Sequence, residues 1–212
     1  MDAAAMSNFR DGGDRQIDLS EGIRLLGVPQ GQISRAEGDI HQFGNPHYWL
    51  DPRSGIVMAR HIAAKLSVLV PNSCDYFAQN LKTFENSLQS KITEWTAEMK
   101  PFQGAELIGY HNEWAYLMDF YGLKMTKFIE PKPGVPPGPQ YLEELTQFIR
   151  QQSVKGMLQA TFFPPEAGEF LNEKTGIKVY SACQNVGELE ECADYITTID
   201  LITRKILEIF NS

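Results

Sequence analysis

The sequence predicts an α/β fold with a parallel sheet, and two observations carry that reading. Beyond Pro101, short apolar runs alternate with amphipathic ones, strand-like and then helix-like. Ahead of it stands one uninterrupted helical pattern, Cys74 to Lys100, with Phe77, Leu81, Phe84, Leu88, Ile92, Trp95 and Met99 at steps of three or four. Strand–helix alternation calls for right-handed βαβ units and parallel strands. The long run would span ~40 Å, too long for an ordinary packed helix of a small domain, and reads as a spine or a connection between lobes.

Each element follows in order. "MDAAAMSNFRDGGDRQ" predicts a short helix, Asp2 to Asn8, broken by "DGGD". Irregular chain follows, with an apolar stretch at 17–19 and a loop around His47. From Arg53, apolar residues from Ile56 to Leu69 recur at helical spacing, and Pro71 stops the run. Asp51 is its N-cap with Pro52 at the first helical position. Asn72 or Ser73 caps the spine. Beyond Pro101, "AELIGY", "LKMTKFIE", "VKGMLQATFF" and "IKVYSAC" read as strands. "HNEWAYLMDFYG", "QYLEELTQFIRQQS", "PPEAGEFLNEKTG" and a last stretch from about 193 to 210 read as helices, two of them ending on Gly. The chain divides at 1–72, 73–100 and 101–212.

Composition bounds the function. The 212 residues are 42% hydrophobic and 22% charged, an ordinary globular balance with a core of useful size. A net charge of −8 without a Lys/Arg block gives nucleic-acid binding no support. No segment is apolar for long enough to span a membrane. The first residues lack the basic and apolar regions of a signal peptide, and the chain opens as if its natural front end lay upstream. Three cysteines, Cys74, Cys183 and Cys192, do not make a disulfide scaffold. Cys183 and Cys192 are able to pair, but two buried thiols and a spare is the preferred reading.

Candidate chemistry rests on four histidines. His61 lies inside a helix and reads as structural. His111 follows "AELIGY" and opens the next helix, at the carboxyl edge of the sheet where ligands gather. A ring at a helix N-terminus is biased toward the neutral, metal-binding form. His41 and His47 lie together in "HQFGNPH". Glu130 follows the second strand and caps the Pro-rich loop or faces the site. Neither G-x-S-x-G nor H-E-x-x-H occurs, and the prolines of "PKPGVPPGP" remove the N–H donors a phosphate would need.

"GDIHQFGNPHYWLDP", the spine helix, "ELIGYHNEWAYLMDFYGL", "FIEPKPGVPPGPQYLEEL" and "NVGELEECADYITTID", in that order, resemble the metal-binding solute-binding proteins of bacterial ABC importers, the zinc and manganese cluster. The resemblance implies two α/β lobes with parallel sheets, joined by one long helix, with the metal between them. It makes 1–72 the remnant of a truncated first lobe, 73–100 the linking helix and 101–212 the second lobe. In "PH-x-WLDP" the family histidine is a ligand, which falls on His47. The histidine after the second lobe's first strand falls on His111, and imidazole at that place favours zinc over manganese. His41 is carried as a further candidate. The family's usual aspartate after the last strand has no match in "SACQNVGELEEC", so Glu188, Glu190 or Glu191 is the expected substitute.

The expected function is capture of a divalent metal ion for an ABC permease at a periplasmic or extracytoplasmic surface, with no reaction catalysed. Two alternatives stand beside it, a metal-free interaction protein that kept the fold and a metal-dependent hydrolase. The exposed half of the spine stripe, Phe77 to Leu88, is expected to support self-association.

Overall fold

The computed structural model describes residues 16–29 and 43–211; the expected helix at Asp2–Asn8 lies outside them. Helix α1 spans Pro52–Leu69. Asp51 is its N-cap, with its carboxylate accepting from the Arg53 N–H and Pro52 at the start, as the sequence implies. Pro71 opens a single 3-10 turn, Pro71–Ser73, and helix α2 then runs unbroken through Cys74–Met99. No Gly or Pro interrupts it, so nothing kinks it. Strand β1 (Glu106–Gly109), helix α3 (Ala115–Tyr121), strand β2 (Lys124–Phe128), helix α4 (Pro139–Gln151), strand β3 (Met157–Ala160), helix α5 (Glu166–Thr175), strand β4 (Val179–Ala182) and helix α6 (Tyr195–Phe210) follow.

The four strands form one sheet in the order β2-β1-β3-β4, every pair parallel. Its centre, β1 and β3, is almost wholly buried. Helices cover both faces, as parallel sheets require. One face packs Leu107, Leu158, Ala160 and Ala182 against α2, α3 and α6 through Leu88, Trp95, Leu117, Ile202 and Ile206. The other packs Ile108 and Met157 against Leu145, Ile149 and Leu171 of α4 and α5. Strand order reverses between β1 and β3, so their carboxyl ends flank the crevice where such sheets bind ligands, and β2, paired with β1, ends at the same edge.

The spine stripe changes character along its length. Leu88, Trp95 and Met99 are buried, and the Trp95 indole N–H donates to Asp200 at 2.9 Å. Toward the amino end, Phe77, Leu81 and Phe84 are half-buried and line an apolar groove of about 460 Å³ with Ala59, Ala63 and Leu66 of α1.

Two sequence expectations are corrected. Cys183 and Cys192 form a disulfide rather than two buried thiols; the turn from β4 into α6 folds back on itself, which spacing alone does not reveal. Helix α3 starts at Ala115 instead of His111, because residues 111–114 make a turn first. His111 is therefore a turn residue with no helix dipole behind it.

α1 meets α6 through a glycine. A Cβ on Gly55 would lie 2.6 Å from Cε1 and Oη of Tyr195. Tyr195 cannot step aside, since its hydroxyl donates to the Trp49 carbonyl at 2.7 Å and the Asp51 carbonyl at 3.2 Å. Gly55→Ala gains helix propensity but must overpack this contact. It is expected to lower stability by about 1–3 kcal/mol in urea unfolding, and an unchanged midpoint would show that Tyr195 moves freely.

Candidate metal centre

The first wall of the site is the stretch from Gly44 to Leu50. Gly44 has φ 103° and carries no side chain where a Cβ would meet the Leu26 carbonyl at 2.8 Å. That close approach lets the Asn45 N–H donate to the same carbonyl. His47 precedes a 3-10 turn, Tyr48–Leu50, that drives Leu50 into the core. Trp49 holds the turn down: its indole N–H donates to the Gln184 carbonyl at 3.2 Å and its own carbonyl accepts from Tyr195. The His47 ring leans on Trp49 with centroids 5.3 Å apart.

The second wall is the carboxyl end of the sheet. β1 ends at Gly109, Tyr110 stacks on Phe163 at 4.1 Å, and His111 turns into the crevice. Its Nδ1 lies 2.7 Å from Glu130 Oε2, just after β2. The same oxygen accepts from the Gly134 N–H at 3.2 Å, so Glu130 both caps the Pro-rich loop and orients His111. A carboxylate at Nδ1 favours the tautomer whose lone pair sits on Nε2, the arrangement common behind metal-binding histidines.

The two walls bring the rings of His47 and His111 to 5.5 Å between centroids, at 72°. They border a cleft of about 290 Å³ together with Gly27, Asn45, Asn112, Glu130 and the prolines of the 131–133 loop. Among the described residues no cluster of three or more His, Cys, Asp or Glu stands in metal-holding geometry. His41 lies outside the described residues. Glu188 does not border the cleft; its carboxylate accepts from the Thr161 hydroxyl, the Gln184 and Asn185 N–H groups and the Asn185 amide, and so ties the loop after β4. Glu190 and Glu191 are exposed in the 3-10 turn Glu190–Cys192, away from the cleft lining. His61 is structural: its Nε2 meets the Glu21 carbonyl at 3.2 Å and tethers residues 16–29 to α1.

Sequence reasoning passed over Glu113. It is fully buried behind His111, and neither carboxylate oxygen has a hydrogen-bond partner among the described residues. The neighbouring Trp114 indole N–H is in the same condition. Burial pushes the Glu113 carboxyl up from 4.5 to about 8; the nearby backbone N–H groups of Glu113, His111 and Ala160 act against that rise, and the charge of Glu130 adds to it. The only signal for it in the sequence is an acid set among the aromatics of "YHNEWAYL".

The sign of its effect on stability follows from linkage. In the unfolded chain the group ionises near 4.5, and in the folded chain near 8. Its contribution is whole below the lower value, is lost as pH rises between the two, and is level above about 8. Glu113→Gln keeps the shape without the acid. The variant is expected to gain stability on the wild type as pH rises from about 5 to about 8, measured by urea unfolding; parallel pH curves for the two proteins would contradict the buried acid.

The model of the family "ZnuA: Zinc-uptake complex component A periplasmic" matches residues 1–209. High-affinity zinc uptake system protein ZnuA of Haemophilus influenzae is 28% identical over 153 residues, 72% of this chain and 43% of that protein. Zinc-binding lipoprotein AdcA of Streptococcus pneumoniae is 25% identical over 142 residues, 67% of this chain and 28% of its own. The chain thus spans less than half the length of these relatives. A crystal structure of ZnuA superposes with a TM-score of 0.76 at 24% identity, covering 91% of this chain and 69% of that one. FpvC of Pseudomonas aeruginosa, solved with Mn2+, gives 0.73 at 19%, covering 92% and 69%. The solute-binding fold is therefore shared with these structures, and with 209 of its residues inside the family match, the chain belongs to the periplasmic zinc-uptake component A family.

Proposed function

We propose that the cleft captures a divalent transition metal, zinc ahead of manganese, for hand-over to an ABC permease outside the cytoplasm, and that it catalyses no reaction. The observation that carries this is the pair of imidazoles, His47 and His111, brought edge to face from separate segments with a carboxylate behind the second. Two imidazole donors suit the borderline softness of zinc better than the oxygen donors manganese prefers. Relatives named for zinc uptake support the cargo, and the neighbour solved with Mn2+ keeps manganese as the lesser choice. The Cys183–Cys192 disulfide fits an oxidising compartment. A hydrolase would need a general base beside an open ligand position, and Glu130 is already engaged by His111 and Gly134.

Zinc ordinarily takes four ligands, so a site with two imidazoles binds less tightly than a complete one. Calorimetric titration is expected to show one zinc per chain, with His47→Ala and His111→Ala each losing at least about 10-fold in affinity. Affinity is also expected to fall between pH about 7.5 and about 5, because protons compete for the imidazole lone pairs. Zinc binding indifferent to both substitutions would remove the proposal.

The apolar groove between α1 and α2 favours a second reading, self-association along Phe77–Leu88. Tyr76 and Ile62 stand exposed on its rim. Light scattering is expected to show a species larger than the monomer for the wild type and a monomer for Leu81→Glu; monomers for both would end this reading.

A further inference from the structure

We infer that Asn45 is the positioning residue of the site: its side-chain amide fixes which nitrogen of His47 carries the lone pair and holds that histidine at ligand distance from His111. The inference rests on the metal-capture reading and deepens it. Two backbone groups around Asn45 have hydrogen-bonding roles that cannot change. The His47 backbone N–H can only donate, and it meets Asn45 Oδ1 at 2.9 Å across Pro46. The Asn112 backbone carbonyl can only accept, and it meets Asn45 Nδ2 at 2.6 Å. These two partners pin the amide in one orientation, with oxygen toward His47 and nitrogen toward the turn that carries His111.

The His47 Nδ1 also lies 2.9 Å from that same Asn45 Oδ1. Because the oxygen only accepts, Nδ1 must bear the proton, and the lone pair falls on Nε2. Pro46 stiffens the turn that closes on the amide. Asn45 is itself held from its backbone: its carbonyl accepts from the Tyr116 hydroxyl at 2.8 Å, and its N–H donates to the Leu26 carbonyl at 2.7 Å. One side chain therefore touches the segment of each histidine. Glu130 performs the corresponding service for His111.

The test uses the 212-residue chain, zinc alone as the probe, and two readouts. Nitrogen-15 NMR of the imidazoles distinguishes the two neutral tautomers, and calorimetry gives zinc affinity. His47 of the wild type is expected to show the proton on Nδ1; a proton on Nε2 overturns the inference without any variant. Asn45→Ala is expected to mix the tautomers of His47, leave the His111 signature in place, and weaken zinc by about 10- to 100-fold. Asn45→Asp keeps the oxygen that accepts from the His47 N–H and Nδ1 but sets its second oxygen against the Asn112 carbonyl, so the His47 tautomer should return while zinc affinity recovers only in part, a split that a merely structural role would not give. If Asn45→Ala does not fold, the tautomer in the wild type and in Asn45→Asp decides. A wild-type tautomer in Asn45→Ala overturns the positioning role and leaves metal capture standing. A tautomer shift in a chain that binds no zinc supports the positioning role and overturns metal capture alone.

Discussion

The buried hydroxyl of Tyr195 is the contact on which the arrangement depends. It enters from the first turn of α6 and donates to the carbonyls of Trp49 and Asp51. Those two residues bracket the passage from the His47 turn into α1. Burial pushes the phenol well up, so it is an O–H donor at every ordinary pH. Gly55 leaves room for the ring, and the capping box of Asp194 and Thr197 fixes where α6 begins. The wall that carries His47 is thus fastened to the last helix of the sheet domain. The other wall, His111 and Glu130, follows β1 and β2 of the same sheet, whose strands β3 and β4 α6 packs against.

The carboxylates that shape the second wall and the loop after β4 differ in what they serve. Glu130 serves two donors and Glu188 serves four. Glu113 has no partner in hydrogen-bond geometry among the described residues, and burial pushes its carboxyl up to about 8, since a bare carboxylate in that position would cost far more than a neutral acid. The interior behind His111 therefore adds little negative charge of its own. What field the imidazole feels comes mainly from Glu130, at hydrogen-bond distance.

Much of this was legible in the chain. Periodicity and stop residues located the helices and strands because their causes are local: Pro71 lacks an N–H, Gly122 takes φ 67°, and Asp51 caps with Pro52 behind it. The pairing of His47 with His111 came from motif resemblance, not from local rules. Features decided by tertiary contact were not legible. The start of α3 moved because Glu113 and Trp114 are drawn into the core through a turn. The cysteine pair depended on how the loop after β4 folds back. Asn45 looked like a loop residue until Asn112, distant in sequence, supplied the carbonyl that fixes its amide.

Residues 16–29 are fastened to the rest mainly at their polar tips. Arg24 reaches Asp119 at 2.7 Å, and Arg53 reaches the same carboxylate at 3.1 Å while also holding Asp51. The Arg24 side chain is 71% exposed, so dissolved salt screens its ion pair readily. Leu26 and Gly27 of this segment brace Gly44 and border the cleft. The molecule therefore has a hierarchy of opening. This strip is expected to open at a smaller free energy than β1, β3 and α6, whose residues lie in the packed core. Ionic strength then acts on the mouth of the cleft from a distance, loosening the brace of one wall while leaving the sheet domain closed.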